Sequence, residues 1–221
     1  MTLILYYHPF ASFCQKVLIA LYEKDIEFEP RLIDLGDAAQ RAELSRLWPL
    51  AKFPVLHDTA NDVILPESSL IVDYLDRHRP DTVQLIPGDP EEARRVHLWD
   101  RLFDNYVATQ LTKVVIDRFR ADGRDDPDGV EQAKATIATA YGIIDEELGR
   151  GGRWIAGDGF TLADCAAAPA LFYANIAVPF ERHEALTAYY QRLLARPSFA
   201  RVVDEARPYR ALFPLEWPAH Y

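Results

Sequence analysis

The sequence predicts an α/β domain followed by an all-helical domain. Over roughly the first third of the chain, short strand-like runs alternate with helix-like spacing, which predicts the order βαβαββα. Residues 81–89 are then rich in proline, glycine and aspartate, and beyond them apolar residues recur only at helical spacing. We therefore expect an α/β domain over residues 1–80, a linker over 81–89 and a helical domain over 90–221.

Four short strands and three helices make up the predicted first domain. Residues 3–7 form an apolar run typical of a strand buried on both faces, and residues 28–35 form a second strand. Two more strands flank a turn-rich segment and so predict a hairpin. Those two strands lie at residues 55–57 and 63–65, and the helices are expected at residues 13–25, 38–48 and 67–75.

Two apolar stripes at helical spacing are the main features of the predicted second domain. One comprises Val96, Trp99, Phe103, Tyr106 and Val107, and the other Val130, Ala133, Ile137, Tyr141, Ile144 and Leu148. Thr161 and Asp164 form a helix-start signal, and Pro169 is expected to kink or break the helix that follows. The three prolines of residues 207–221 predict an extended tail over the surface.

Composition excludes several classes of protein. The net charge of −10 over 221 residues repels phosphate backbones, so no nucleic acid partner is expected. No apolar run approaches the roughly 18 residues that a membrane span needs, and the start of the sequence lacks signal-peptide features. Cys14 and Cys165 are expected to be free thiols, which suits a cytoplasmic protein. The six histidines show no metal-ligand spacing, so no metal site is expected.

The turn between the first strand and the first helix is the most informative segment. Ser12 lies at the start of a helix, where unpaired amides stabilise an anion such as a thiolate. Its hydroxyl could cap the helix, or it could donate a hydrogen bond to the sulfur of a bound thiol. Cys14 lies one turn further on the apolar stripe, which is typical of a buried, inert thiol.

Two further segments carry candidate binding residues. Pro54 opens a strand after Lys52 and Phe53, and a proline there can be cis and leaves the preceding backbone free to pair with an extended ligand. Glu67 and Ser68 stand at another helix start, where amides suit a ligand carboxylate and Glu67 could meet an ammonium group. The alternative in the second case is a simple helix cap.

Together these segments resemble the glutathione S-transferase family over almost the whole chain. Ser12, Pro54 and the pair Glu67 and Ser68 match the family's first-turn residue, cis-proline and third-helix start. Residues 16–24 look like its first helix, and residues 160–164 look like its capping box. The resemblance implies a thioredoxin-like domain followed by a helical domain, glutathione as co-substrate and a homodimer.

The resemblance also implies roles for the matched residues. Lys52 would meet the glycyl carboxylate of glutathione, and the backbone of Phe53, before Pro54, would pair with the cysteinyl unit. Glu67 and Ser68 would hold the γ-glutamyl end.

Chemistry would occur at the glutathione thiol. Ser12 would stabilise the thiolate, which attacks a hydrophobic electrophile held near Phe10 and Tyr106, without a metal. Aligned backward from Val17, however, the catalytic position falls on Ala11.

Two alternatives remain open on the same scaffold. One is a glutathione-dependent isomerase or thiol reductase, although the first cysteine of a Cys-x-x-Cys pair is absent. The other is a non-catalytic module that binds a ligand or a partner. The expected homodimer could use Trp48, residues 77–79, and Arg94 with Arg95.

Overall fold

The protein is described here by a computed structural model that covers residues 2–217. The strands are β1 (Leu3–Tyr7), β2 (Glu29–Leu32), β3 (Val55–Asp58) and β4 (Val63–Pro66). The helices are α1 (Ser12–Glu23), α2 (Ala38–Leu47), α3 (Ser68–His78), α4 (Pro90–Leu102), α5 (Thr109–Asp117), α6 (Pro127–Gly149), α7 (Leu162–Ala177), α8 (Glu184–Leu194) and α9 (Pro197–Ala206). A π-helical segment, Phe103–Ala108, joins α4 to α5, and a 3-10 segment, Arg207–Leu212, follows α9. This element order confirms the predicted α/β plus all-α fold.

The four strands form one mixed sheet in the order β2-β1-β3-β4. Strand β1 pairs in parallel with β2, and the β1–β3 and β3–β4 pairs are antiparallel. The edge strand β2 is shorter than expected, and all four of its residues are exposed. Its extension toward residue 35 is prevented by a turn in which the Gly36 amide donates to the Asp34 carboxylate at 2.8 Å.

The register of the sheet brings three turns to one end. Tyr6 pairs with Val55, so the loop that follows β1 lies beside Pro54. Val55 also pairs with Pro66, so Pro54 lies beside Glu67. The starts of α1, β3 and α3 therefore meet at the same end of the sheet.

Helix α7 is the central helix of the second half. Its first thirteen residues are all buried, and it packs against both α1 and α4. Asp164 in its first turn accepts from the Thr161 amide at 2.8 Å and from the Tyr189 hydroxyl at 2.7 Å. The break expected at Pro169 does not occur, because packing on several sides holds the helix together despite the missing amide.

An ionic cluster joins α1, α3 and α4. The Lys16 ammonium donates to Ser69 Oγ at 2.8 Å and to Asp104 Oδ2 at 2.9 Å, and it also pairs with Asp100. Arg101 Nη2 lies 2.7 Å from Asp100 Oδ2 and 2.5 Å from Asp104 Oδ2. Two cations therefore balance two buried carboxylates where the sheet domain meets the helices.

The end of the described chain packs over the start of α1. Residues 207–212 form the 3-10 segment, so the expectation of a fully extended tail is wrong there. Phe213 and Trp217 then place their rings 6.1 and 5.9 Å from the ring of Phe10. The remainder of the predicted tail, residues 218–221, lies outside the described residues. Within residues 2–217 no helix is long and apolar enough to cross a membrane.

Candidate functional site

Two adjoining cavities open where the three turns meet, and Phe13 and Phe53 contribute to both. We call the first, of about 240 Å³, the polar cavity; it is lined by Phe13, Trp48, Lys52, Phe53, Pro54, Glu67, Ser68, Arg101, Asp104, Asn105 and Thr109. We call the second, of about 270 Å³, the aromatic cavity; it is lined by Phe10, Ala11, Ser12, Phe13, Phe53, Ala108, Leu111, Thr112, Val115, Tyr173, Leu212 and Phe213.

All but one of the predicted site residues line one of the two cavities. The five candidate binding residues, Lys52, Phe53, Pro54, Glu67 and Ser68, all line the polar cavity. Two others, Ser12 and Phe10, line the aromatic cavity.

Tyr106 lines neither cavity, and 53% of its surface is exposed. Its neighbours Phe103 and Val107 are fully buried. The π-helical turn adds a residue to the regular helical repeat and so rotates Tyr106 away from the apolar stripe in which helical spacing placed it.

Ser12 is the first residue of α1, and Ala11 occupies the cap position. Ala11 has no side-chain group that could cap the helix. The Ser12 hydroxyl forms no hydrogen bond with any residue from 2 to 217, so it does not cap the helix either. This hydroxyl is therefore a free donor at the helix N-terminus, where the backbone amides also favour a negative charge.

The Phe53–Pro54 segment presents backbone to the polar cavity. The peptide bond between these residues is cis, and Pro54 is buried directly before β3. The Phe53 backbone forms no hydrogen bond with the described part of the chain. An extended peptide could therefore pair with this segment as an added strand.

Glu67 and Ser68 begin α3 from an unusual backbone conformation. Glu67 has a φ angle of +73°, a region that side chains other than glycine rarely adopt. Its carbonyl accepts from the Ile71 amide at 3.0 Å, so the helix holds this conformation in place. Strain of this kind clusters at binding sites, where the surrounding structure maintains it.

Six residues on the wall of the polar cavity were not predicted as site residues, and three of them, Trp48, Arg101 and Asp104, carry an indole nitrogen or a charge. The indole nitrogen of Trp48 is buried and has no hydrogen-bond partner among the described residues. Arg101 and Asp104 bring a cation and an anion from the helical half. Trp48 stands only four positions before Lys52, which could have pointed to it, whereas only the tertiary fold brings Arg101 and Asp104 here.

The charges of the polar cavity are of both signs. Lys52 and Arg101 are cationic, and Glu67 is anionic. Asp100 does not line the cavity. Burial by itself would raise the pKa of Asp100, but Lys16 and Arg101 hold this pKa below its ordinary value. Burial raises the pKa of the lining residue Asp104, although Lys16 opposes the rise. The cavity thus suits a ligand that carries carboxylates and an ammonium group.

His8 holds the turn before α1 in place. Its Nδ1 accepts a hydrogen bond from the Phe10 amide at 3.2 Å, and its ring lies 4.7 Å from the ring of Tyr209 in the 3-10 segment. Burial lowers the pKa of His8, with Asp34 acting in the opposite direction. The neutral ring that accepts the hydrogen bond is therefore favoured.

Cys14 and Cys165 are both buried free thiols, as expected. Burial raises the pKa of Cys14, which favours the protonated thiol. Among residues 2–217 no group of three or more histidine, cysteine or acidic side chains could hold a metal ion.

Comparison with known proteins relates both halves of the chain to one family. Residues 5–83 match the family described as "Glutathione S-transferase, N-terminal domain", and residues 127–192 match "Glutathione S-transferase, C-terminal domain". A glutathione S-transferase from Hypomyces subiculosus is 30% identical over 202 residues, which cover 87% of this chain and 94% of that protein. FtsZ-localized protein A from Caulobacter vibrioides is 27% identical over 212 residues, which cover 92% of each chain.

A solved structure extends the comparison to three dimensions. The glutathione S-transferase from Methylobacterium radiotolerans, in complex with glutathione sulfonate, superposes with a TM-score of 0.80 at 30% identity. The match covers 92% of this chain and 95% of that one. The two proteins therefore share their fold over nearly their whole lengths.

Proposed function

This chain belongs to the glutathione S-transferase family, and we propose that it is a transferase that adds the glutathione thiolate to a hydrophobic electrophile. The observation that carries the proposal is the free Ser12 hydroxyl at the start of α1, on the wall of the aromatic cavity that adjoins the polar cavity. The polar cavity would hold the peptide, and the aromatic cavity would hold the electrophile.

The thiolate has to be stabilised at neutral pH. A free thiol has a pKa near 8.5, so only roughly a few per cent is ionised at pH 7. The Ser12 hydroxyl and the amides of the first turn would contribute about 1–2 kcal/mol each. Since each pKa unit corresponds to about 1.4 kcal/mol, together they would lower the thiol pKa by about two units.

The charges of the polar cavity support glutathione as the peptide, since it carries two carboxylates and one ammonium group. Lys52, which lines this cavity, would meet the glycyl carboxylate. The open backbone of Phe53 would pair with the cysteinyl unit. Glu67 and Ser68 would bind the γ-glutamyl end.

Replacing the hydroxyl tests the proposal directly. We expect Ser12→Ala to raise the pKa of the bound thiol by about one unit and to lower kcat/KM near pH 6.5 by about tenfold. The thiolate absorbance of bound glutathione, titrated against pH, measures the first effect. Ser45→Ala is the control, because the Ser45 hydroxyl bonds only to the Arg41 carbonyl on α2. An unchanged pH profile in Ser12→Ala would show that the hydroxyl has no catalytic role.

The second candidate function is a non-catalytic role, which the similarity to FtsZ-localized protein A supports. In that case the same cavities would bind glutathione or a partner without turnover. Calorimetry with glutathione, followed by an assay with an aryl halide, separates the two. Binding without turnover would support the second candidate, and absence of binding at millimolar glutathione would exclude the transferase.

We also propose a homodimer in the cytoplasm. Leu70 on α3 and Leu98 on α4 are 55% and 58% exposed, and they flank the contact between Ser69 and Arg101. Exposed leucines next to a domain junction suit a subunit interface. The basic residues considered for this interface are paired within the chain: Arg77 with Asp73, Arg94 with Glu91, and Arg95 with Glu147. The two free thiols suit a reducing compartment.

A further inference from the structure

A third cavity, of about 540 Å³, opens where α1 ends, beside the start of β2 and α9. It shares no lining residue with the polar or the aromatic cavity, so the proposed transferase function makes no use of it. We call it the acidic cavity. Its aromatic and acidic lining residues are Tyr7, Tyr22, Asp25, Glu27, Phe28 and Glu205.

The three aromatic residues of the acidic cavity form one cluster. The ring of Phe28 lies 6.4 Å from the ring of Tyr7 and 6.3 Å from the ring of Tyr22. All three residues are only half-buried, whereas Leu21 beside them is completely buried. Aromatic surface is therefore left at the cavity, where it can contact an apolar group or a cation.

The charged groups of the acidic cavity are mostly anionic. Arg201 is the one cation among the described lining residues, and it already pairs with Glu205 at 2.9 Å. Its guanidinium also lies 3.8 Å from the centre of the Tyr22 ring. The carboxylates of Asp25 and Glu27 are exposed and have no partner among residues 2–217. Two unpaired negative charges therefore face the cavity.

The end of α1 adds to this negative potential. The C-terminus of a helix carries a partial negative charge, and the last turn of α1 contains no basic residue that would offset it. The ammonium of the next residue, Lys24, pairs at 2.7 Å with Asp76, which does not line the cavity. Burial raises the pKa of Tyr7 and of Tyr22, so both hydroxyls are neutral near pH 7.

These groups select one class of ligand. An anion is disfavoured, because the guanidinium of Arg201 is engaged by Glu205. A metal ion does not fit, because no three acidic, histidine or cysteine side chains within residues 2–217 are grouped closely enough to hold one. A cation with an apolar body can use both the unpaired carboxylates and the aromatic surface.

We propose that the acidic cavity is a second binding site, separate from the transferase site, for organic cations with a flat apolar body. The apolar body would pack against the rings of Tyr7 and Phe28. The cationic group would lie at the carboxylates of Asp25 and Glu27. This inference does not rest on the proposed transferase function, since the two sites share no lining residue.

The test uses 1-naphthylmethyl-trimethylammonium, whose charge does not depend on pH, with calorimetry in a buffer of low ionic strength. We expect the double variant Asp25→Asn, Glu27→Gln to bind this cation at least about tenfold more weakly than wild type. The affinity for the neutral 1-naphthylmethanol should change less than about twofold, because the alcohol has no charge for the carboxylates to attract. Asparagine also tolerates the φ angle of +51° at position 25.

A matched control removes two carboxylates elsewhere. Asp62→Asn, Glu92→Gln changes the net charge by the same amount, and Asp62 has a similar φ angle of +53°. Both residues are exposed, and neither lines the acidic cavity. This control should bind the cation as wild type does. Equal losses in the two double variants, or no binding of the cation to wild type at millimolar concentration, would overturn the proposal.

A second variant tests the aromatic part of the site. Phe28→Leu keeps an apolar side chain and removes the ring, so we expect the affinity for the cation to fall about threefold or more. Phe119→Leu is the control, since Phe119 is exposed and lies outside the cavity. An unchanged affinity in Phe28→Leu would overturn the proposal.

Competition locates the cation relative to the transferase site. Glutathione at saturating concentration should leave the affinity of wild type for the cation unchanged, because the polar cavity lies apart from the acidic cavity. Displacement of the cation by glutathione would place it in the polar cavity and overturn the proposal.

Discussion

Single polar atoms around the turn between β1 and α1 decide what the site can do. The Phe10 amide is engaged by His8, and the Gln15 side chain by Pro9 and Tyr173. Ser12 is left without a partner in the described chain. The Ser12 hydroxyl is therefore available to a ligand.

The pH dependence of stability should reveal His8. Its pKa is lowered in the folded protein, so on acidification the unfolded chain binds a proton first. The stabilising contribution of the neutral ring is therefore complete above the unfolded pKa of about 6.5 and is lost as the pH falls below it. We expect His8→Asn, which keeps an acceptor for the Phe10 amide, to flatten this acid-side slope.

Urea unfolding at several pH values between about 7 and 5 measures the effect. Other histidines contribute equally to wild type and variant, so they cancel in the difference between the two curves. Parallel curves for the two proteins would contradict the assignment to His8.

Tyr141 provides a second prediction for a single group. This residue is 1% exposed, and its hydroxyl has no hydrogen-bond partner among the described residues, although its ring packs 5.1 Å from that of Phe180. Tyr141→Phe keeps the ring and removes the unpaired hydroxyl, so we expect the free energy of unfolding to rise by about 1 kcal/mol. Chemical denaturation measures this change. A loss of stability would mean that the hydroxyl has a partner in the folded protein.

At the scale of elements, the site depends on how α1, α3 and α4 are held together. Lys16 lies one turn after Ser12 on α1, and it contacts Ser69, the second residue of α3. The same ammonium pairs with Asp100 on α4. The cluster therefore holds the first turns of α1 and α3, which line the cavities, against the helical half of the molecule.

Breaking this cluster should be costly. Lys16→Met leaves two buried carboxylates with Arg101 alone, and we expect a loss of about 3–5 kcal/mol in the free energy of unfolding. Lys134→Met is the matched control, because the pair of Lys134 with Glu131 is exposed and should contribute less than about 1 kcal/mol. Urea denaturation compares the two variants. Similar small losses in both would mean that the buried cluster does not stabilise the junction.

At the scale of the whole molecule, the proposed homodimer depends on the face around Leu70 and Leu98. We expect light scattering at micromolar concentration to give twice the chain mass of 25.2 kDa. The double variant Leu70→Glu, Leu98→Glu should give the single-chain mass, since four like charges would meet at the interface. Leu32→Glu is the control, because Leu32 is also exposed but lies on β2, at one edge of the sheet, and not on α3 or α4. A single-chain mass for wild type would contradict the dimer.

Local sequence patterns were sufficient to predict most of the helices and strands. The hairpin of β3 and β4 and the buried stripe of α6 follow from patterns that repeat within a few residues. The same holds for the helix starts that carry Ser12 and Ser68, because Pro9 and Pro66 stand just before them. At Pro169 tertiary packing overrides the local preference, and α7 continues without the break that was one of the two expected outcomes. Strand β2 ends earlier than expected because of the local turn at Asp34 and Gly36.

The sequence alone determined the order of the elements, the family and the segments that meet at the site, because these depend on short-range periodicity and on turn residues. The tertiary structure decided which side chains complete the site. Arg101 reaches the polar cavity from the helical half, Tyr106 turns away from the aromatic cavity, and Gln15 meets Tyr173 across 158 positions. Residues so far apart in the sequence share no periodic pattern, so their contacts can be seen only in the folded structure.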